Sequence, residues 1–170
     1  MSIRILGLGN DLLADDRLGL SAASELGRRF GSRVETVCSS TSGFDLLDDL
    51  VGASRLLVLD TWATGAAPPG TVFEVGEDDV AAVPGGSPHY VGLFEAIRLA
   101  RALGLAVPSE VVILAIEPED VLTVGGPMSA AVSRSIEPLL DRASAIVSGW
   151  LAAKATTPSS GASIHHAQLS

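Results

Sequence analysis

Cysteines and basic residues are scarce in this sequence of 170 residues. Cys38 is the single cysteine, so no internal disulfide can form and no cysteine cluster can hold a structural zinc ion. There are 11 Lys and Arg residues against 20 Asp and Glu residues, which gives a net charge of −9. Because nucleic acids and anionic membrane surfaces attract a basic protein face, this balance argues against both as partners.

Aromatic residues and long apolar runs are also few. Aromatics make up 4% of the chain, whereas hydrophobic residues as a whole make up 47%. A core of Val, Leu, Ile and Ala suits a parallel sheet that is covered by helices on both faces. No apolar run approaches the roughly 20 residues needed to cross a bilayer. The N-terminus lacks the features of a signal peptide, and we therefore expect a cytoplasmic protein.

Short apolar runs alternate with segments of helical periodicity. Strands are predicted over residues 3–8, 34–39, 55–60, 71–75 and 110–116. We expect the strand over 71–75 to lie at an edge of the sheet, where an antiparallel direction is allowed. This alternation predicts a three-layer α/β/α sandwich on a mostly parallel five-stranded sheet. We expect one domain over residues 1–154, followed by a disordered tail of low complexity over residues 155–170.

The helical pattern predicts four helices, over residues 17–30, 44–51, 88–103 and 128–154. Ser87 is a suitable N-cap for the third helix, and Pro88 suits its first position. Pro138 lies inside the last helical segment. Because proline removes a backbone donor and crowds the preceding turn, it predicts a kink or a division into two helices.

The first predicted strand leads into a glycine-containing turn with two adjacent carboxylates. Gly7 and Gly9 are followed by Asp15 and Asp16, after which a helix is predicted. A dinucleotide-binding fingerprint would need a third glycine where Leu12 stands, and the loop is too long to set a helix N-terminus against a pyrophosphate. Nucleotide binding is therefore disfavoured. The acids instead follow the carboxyl end of a strand, where open α/β sheets bind ligands.

Candidate catalytic or metal-binding residues stand at the ends of several elements. The Asp15–Asp16 pair follows the first strand, Asp60 closes the strongest strand, and His89 opens a helix. Two carboxylates and an imidazole are a common ligand set for a borderline divalent metal with open positions. Each residue also has an ordinary interpretation, such as a helix N-cap for either acid of the pair. Glu117, at the end of the last strand, is a further candidate.

Four segments of the sequence resemble the motifs of a known family. They are Gly-Leu-Gly-Asn-Asp-Leu-Leu-Ala-Asp-Asp-Arg-Leu-Gly at 7–19, Leu-Leu-Val-Leu-Asp at 56–60, Ser-Pro-His-Tyr-Val-Gly-Leu at 87–93 and Ile-Glu-Pro-Glu at 116–119. In this order and at these distances, they are similar to the motifs of the hydrogenase maturation endopeptidases. The resemblance covers roughly residues 3–152.

The resemblance implies a peptidase that removes a C-terminal extension from the large-subunit precursor of a nickel–iron hydrogenase. The metal-facing residues of the family carry over onto Asp16, Asp60 and His89, which are also its implied catalytic residues. The nickel is implied to be held by cysteines of the precursor and recognised there by the protease. A metal can polarise a carbonyl and activate water, and a carboxylate can act as general base. An aspartic-type mechanism with Asp16 and Asp60 stays open.

Arg17 departs from the family pattern, in which a small residue often follows the acid. A guanidinium at this position could pair with Asp16 or weaken cation binding. This departure supports an alternative function, a non-catalytic maturation factor of the same fold that binds the precursor without cutting it. A third alternative, a small-molecule hydrolase on a similar scaffold, predicts a deep closed pocket instead of an open groove.

Overall fold

The five predicted strands form one sheet in the computed structural model, which describes the backbone of residues 2–76 and 88–156 and the side chains of residues 2–76 and 92–154. The strand order is β2-β1-β3-β5-β4. Neighbours are parallel except for β4, which runs antiparallel to β5 at the edge, as predicted. The bounds are β1 Ile3–Leu8, β2 Glu35–Ser39, β3 Arg55–Thr61, β4 Val72–Val75 and β5 Glu110–Ile116.

Helices cover both faces of this sheet, so the predicted three-layer α/β/α architecture is confirmed. Helices α1 and α4 pack on one face, and α2 and α3 pack on the other. Short 3-10 turns over Asp15–Arg17 and Gly43–Leu46 precede α1 and α2. The helix bounds are α1 Leu18–Phe30, α2 Leu47–Leu50, α3 Pro88–Ala102 and α4 Ala130–Thr156.

Strand side chains alternate between two apolar layers, as the two-residue period of a strand requires. In β1, Ile3 and Ile5 pack under α1 and α4, whereas Leu6 and Leu8 pack against α2 and α3. All six residues of β1 are buried, as expected for a central parallel strand covered on both faces. No helix in the described part of the chain is long and apolar enough to span a membrane.

Pro138 does not divide the last helix, so of the two predicted outcomes, a kink or a division, the division was wrong. Helix α4 is assigned as a single helix of 27 residues with this proline inside it. Residues on both sides of the proline are buried in the core under the sheet, and this packing offsets the lost backbone hydrogen bond. The buried residues of α4 are Val132, Leu139, Leu140, Ala143, Val147 and Trp150.

Two glycines allow α1 to lie directly on the sheet. A Cβ added to Gly19 would stand 2.1 Å from the Leu8 carbonyl oxygen and 2.4 Å from that of Leu59. A Cβ added to Gly7 would stand 2.4 Å from the Gly19 carbonyl oxygen. Contacts under 3 Å leave no room for a larger side chain at either position. The start of α1 is therefore fixed over the ends of β1 and β3, beside the predicted acids.

Candidate active site

The loop after β1 returns to the end of its own strand and so places Asp16 there. The backbone N–H of Asn10 donates to the carbonyl oxygen of Asp16 at 3.2 Å. Gly9 has a φ of +143°, and a Cβ added there would stand 1.9 Å from the same carbonyl oxygen. The glycine is therefore required for the close approach of Asp16, which explains the Gly-x-Gly pattern without a phosphate.

Thr61 links the two predicted carboxylates. Its hydroxyl donates a hydrogen bond to Oδ1 of Asp16 at 2.8 Å, and its backbone N–H donates to Oδ1 of Asp60 at 2.7 Å. Thr61 and Asp60 are buried, whereas Asp16 is partly exposed. The structure thus brings Asp16 and Asp60 together at the carboxyl edge of the sheet, as predicted. Sequence reasoning missed Thr61, although a hydroxyl residue directly after Asp60 was a visible signal.

Asp15 is a structural residue and not a cap of the helix that follows it. It is fully buried, and its Oδ2 accepts hydrogen bonds from the backbone N–H groups of Glu119 and Asp120, both at 2.8 Å. Its Oδ1 accepts from the N–H of Ser129 at 2.7 Å, directly before α4. Neither Asp15 nor Asp16 makes a side-chain cap on α1, so that interpretation was wrong. Asp15 instead fixes the loop between β5 and α4.

Glu117 also serves a neighbouring loop. Its Oε1 accepts a hydrogen bond from the N–H of Gly65 at 2.9 Å. Its Oε2 accepts from the N–H of Thr64 at 3.2 Å and from the Thr64 hydroxyl. This buried carboxylate therefore holds the turn that follows Asp60. Trp62 begins that turn and is buried against Phe73, with ring centroids 5.9 Å apart.

The side chain of His89 lies outside the described residues, but the structure gives the position of its helix. Helix α3 begins at Pro88, as predicted, and ends at Ala102. A Cβ added to Gly92 would stand 2.5 Å from Cα of Gly43, which follows the carboxyl end of β2. This glycine–glycine contact holds the first turn of α3, and with it the backbone of His89, at the edge that carries the acids.

Of the two effects considered for Arg17, an ion pair with Asp16 is not formed in the described part of the structure. Asp16 accepts its hydrogen bond from Thr61, and within the described residues its second carboxylate oxygen accepts none. The Nε of Arg17 is buried and has no hydrogen-bond partner in this part of the structure. The departure from the family pattern therefore leaves Asp16 available to a substrate group, a water or a cation.

The donor set at this edge fits a divalent cation only if another ligand joins it. No group of three His, Cys, Asp or Glu side chains that could hold a metal occurs among residues 2–76 and 92–154. Asp16 and Asp60 provide carboxylate oxygens, which bind hard and borderline cations. A metal held here would need a third ligand from outside the described side chains, either His89 or a group of the substrate.

Two cavities lined by described residues lie away from these acids. One of about 210 Å³ lies between α1 and α4 and is lined by residues such as Ala22 and Ile136. The other, of about 190 Å³, lies beside α3 and the start of β5 and is lined by residues such as Phe94 and Pro108. Neither includes Asp16 or Asp60, so neither provides the closed pocket around the acids that a small-molecule hydrolase would use.

Comparisons with known proteins agree on one family. The family model for hydrogenase maturation proteases (HycI) matches residues 21–146, a range that includes Asp60 and His89 and begins beyond Asp16. The chain is 33% identical over 153 residues to the hydrogenase expression/formation protein HupD of Bradyrhizobium diazoefficiens, covering 87% of this chain and 79% of that protein. It is 29% identical over 146 residues to the hydrogenase 2 maturation protease of Escherichia coli, covering 84% and 88%. The solved structure of the hydrogenase maturating endopeptidase HybD from Escherichia coli superimposes with a TM-score of 0.75 at 27% identity, covering 88% and 94%.

Proposed function

Because this chain belongs to the hydrogenase maturation protease family, we propose that it is the endopeptidase that removes a C-terminal extension from a nickel–iron hydrogenase large-subunit precursor. The observation that supports this function most directly is the Thr61 bridge between Asp16 and Asp60 at the carboxyl edge of the sheet. That edge is where open α/β folds carry their chemistry.

The proposed catalytic residues are Asp16, Asp60 and His89. Peptide hydrolysis needs a polarised carbonyl and a water that loses a proton as it attacks. Asp16 has one carboxylate oxygen fixed by the Thr61 hydroxyl and a second that no described residue binds. This second oxygen can accept a proton from water or contact a cation. The backbone N–H of the same threonine donates to Asp60, so Thr61 fixes the positions of both carboxylates.

Nickel enters this proposal as cargo of the precursor. Asp16, Asp60 and His89 would face the ion, and the ion would supply positive charge that polarises nearby carbonyl groups. The carboxylates of Asp15, Asp16 and Glu117 form no ion pair with any described Lys or Arg. An incoming cation therefore meets no resident positive partner on these groups. An aspartic-type reaction, in which Asp16 and Asp60 alone activate the water, is the mechanistic alternative.

The test is processing of purified precursor, with and without nickel, followed by a gel-mobility shift. We expect wild-type protein to shorten nickel-loaded precursor. The variants Asp16→Asn, Asp60→Asn and His89→Ala should each slow this reaction by about 100-fold or more, because general acid–base groups contribute that much. Asp48→Asn, at an exposed acid on α2, is the matched control and should cleave at the wild-type rate.

Each outcome separates the competing functions. Equal cleavage of nickel-free precursor would favour the aspartic-type mechanism over recognition of nickel. Wild-type rates in Asp16→Asn and His89→Ala would overturn the assignment of these residues. Binding of intact precursor by wild-type protein without any cleavage would support the non-catalytic maturation factor.

A further inference from the structure

A loop without charged residues leaves the carboxyl edge of the sheet directly after the two residues Asp60 and Thr61. It covers residues 62–71 and connects β3 to β4, and we name it the β3–β4 loop. The N–H of Trp62 donates to the carbonyl oxygen of Ile116 at 2.9 Å, where the pairing of β3 with β5 ends. Beyond this bond, contacts outside the strand ladder determine the path of the loop.

Glu117, the residue that follows β5, binds this loop at both of its ends. Its N–H donates to the carbonyl oxygen of Thr71 at 2.9 Å, and its own carbonyl oxygen accepts from the N–H of Gly70 at 2.8 Å. Its buried carboxylate binds the other end, at Thr64 and Gly65, through the bonds described above. One residue therefore joins the beginning of the loop to its end.

The beginning of the loop depends on the carboxylate more than the end does. Among the described residues, Glu117 is the only hydrogen-bond partner that residues 63–66 have outside the loop. The end has a second support, because the hydroxyl of Ser135 in α4 donates to the carbonyl oxygen of Gly70 at 2.6 Å. Removal of the carboxylate would therefore release the part of the loop that is nearest to the acids.

Thr61 connects the loop to the reacting groups. Its hydroxyl donates to Asp16 and its N–H donates to Asp60. Because Thr61 is the last residue of β3, the path of the chain beyond it affects the backbone angles that orient its side chain. Catalytic groups must be held within about 0.5 Å of their reactive geometry, and a displacement of about 1 Å can lower a rate about 100-fold. A shift of the loop would thus reach the reaction through Thr61.

We propose that Glu117 is a positioning residue for the cleavage reaction: it holds the β3–β4 loop, and the loop keeps the Thr61 hydroxyl on Asp16. This inference rests on the proposed function and adds to it a residue that does not touch the substrate. A carboxylate that served stability alone would lower the free energy of unfolding when removed, but the folded variant would keep the wild-type kcat. The two roles therefore predict different kinetics.

The test compares Glu117→Leu and Glu117→Gln by steady-state kinetics on nickel-loaded precursor, at a temperature at which circular dichroism shows both to be folded. Leucine removes both acceptor oxygens, whereas glutamine keeps one for the N–H of Gly65 and can donate to the Thr64 hydroxyl. We expect leucine to lower kcat about tenfold with KM within about twofold of wild type, and glutamine to keep kcat within about threefold. Arg4→Met removes buried hydrogen bonds at the amino edge and is the matched control, with the wild-type kcat.

A double-variant cycle with Thr61→Val tests whether Glu117 acts through the Thr61 hydroxyl. If it does, Glu117→Leu should lower kcat by less than about twofold in the Thr61→Val background, because the bond to Asp16 is already absent. A further fall of about tenfold in that background would overturn the inference. A wild-type kcat in Glu117→Leu alone would also overturn it, and either result leaves the proposed function standing.

Two further measurements cover the cases in which these kinetics fail. If Glu117→Leu does not fold, Thr64→Val removes the hydroxyl contact from the side of the loop; we expect kcat to fall about threefold, and a wild-type kcat would contradict the proposal. If wild-type protein does not cleave precursor, crystal structures of wild type and the folded variant decide. The Thr61 hydroxyl lies 2.8 Å from Oδ1 of Asp16, and we expect this bond to be lost in the variant and kept in Arg4→Met. An unchanged bond would overturn the positioning role independently of cleavage.

Discussion

Charged side chains bind different kinds of partner at the two edges of the sheet. At the amino edge, buried Arg4 pairs with Glu35 at 2.8 Å and donates to the carbonyl oxygens of Asp49 and Val51. At the carboxyl edge, the carboxylates of Asp15, Asp16 and Glu117 instead accept hydrogen bonds from backbone N–H groups and hydroxyls. The amino edge thus combines opposite charges, whereas the carboxyl edge keeps negative charge and holds it with neutral donors.

This difference separates a stabilising arrangement from one suited to binding. Arg55 and Glu110 repeat the amino-edge pattern, with an ion pair at 3.0 Å and a hydrogen bond from Trp150 to the glutamate at 2.8 Å. In an ion pair the two opposite charges largely cancel, so little electrostatic attraction is left for a charged ligand. Carboxylates that bind only neutral donors are fixed in place without a neutralising partner. The carboxyl edge is therefore the part of the described structure that is prepared for a positively charged partner.

The largest effect should come from removing the most connected carboxylate of the carboxyl edge. Asp15→Ala leaves three backbone N–H groups without their acceptor, and we expect a loss of about 4 kcal/mol in the free energy of unfolding. Urea denaturation measures this change. Asp11→Ala, at an exposed acid of the same loop, should change stability by less than about 0.5 kcal/mol. A similar small change in Asp15→Ala would show that this carboxylate does not hold the loop.

At the amino edge, a large substitution should alter stability alone. Arg4→Met keeps the apolar stem but leaves the carbonyl oxygens of Asp49 and Val51 without their donor, which should cost about 2 kcal/mol. Glu35 is half-exposed, so Glu35→Gln should cost less than about 1 kcal/mol. Both variants should retain the wild-type kcat/KM on precursor. A fall in kcat/KM at low temperature, where the variants remain folded, would contradict the separation of the two edges.

A smaller substitution at the carboxyl edge should lower the rate of cleavage more than it lowers the stability of the fold. Thr61→Val keeps the backbone N–H that binds Asp60 and removes only the hydroxyl that binds Asp16. We expect kcat/KM to fall about tenfold, equivalent to about 1.4 kcal/mol in transition-state stabilisation. Thr61→Ser retains the hydroxyl and should restore most of the activity. If the valine and serine variants cleave equally fast, the hydroxyl does not position Asp16.

The smallest expected effect is on the pKa of Asp120, in the loop after β5, and on its contribution to stability at acid pH. Hydrogen bonds from the side chain and then the backbone of Thr123, and from the backbone of Leu122, lower the pKa of Asp120 below its ordinary value of 3.8. Because the pKa is lower in the folded state, this contribution to stability is complete above pH 3.8 and is lost as pH falls through the folded-state value. Carbon-13 NMR titration should show Asp120 titrating below pH 3.8. Thr123→Val should raise its pKa towards that value, and an unchanged titration in this variant would contradict the assigned cause.

The sequence was sufficient for the architecture because its signals are local. Apolar runs ending in Asp60 and Ile116 indicate buried strands, and helical periodicity indicates the segments between them. The edge position of residues 71–75 and the start of α3 at Pro88 were also predicted correctly. The division considered at Pro138 does not occur, because the buried residues around it stabilise one helix against the local preference for a break.

The roles of adjacent identical residues could not be read from local signals. Asp15 and Asp16 have the same chemistry and share one turn, yet one binds a distant loop and the other lies beside Asp60. Their partners decide the difference: the N–H groups that bind Asp15 are 104 to 114 residues away, whereas the threonine that binds Asp16 is 45 residues away. Such distances are set by the topology of the sheet. Adjacency also did not decide whether Arg17 pairs with Asp16, and no such pair forms among the described residues.

The bond between Asp15 and Ser129 also has a consequence for synthesis of the protein. The ribosome makes the turn that carries Asp16 near the beginning of the chain, but the last donor to its neighbour Asp15 emerges 114 residues later. At about 5–20 residues per second, this interval lasts on the order of ten seconds. During that time the nascent chain has the acids but not the loop that fixes their turn. Assembly of the acid site therefore requires synthesis as far as Ser129, and a protein truncated before that residue would lack one of the hydrogen bonds that hold the turn with the acids.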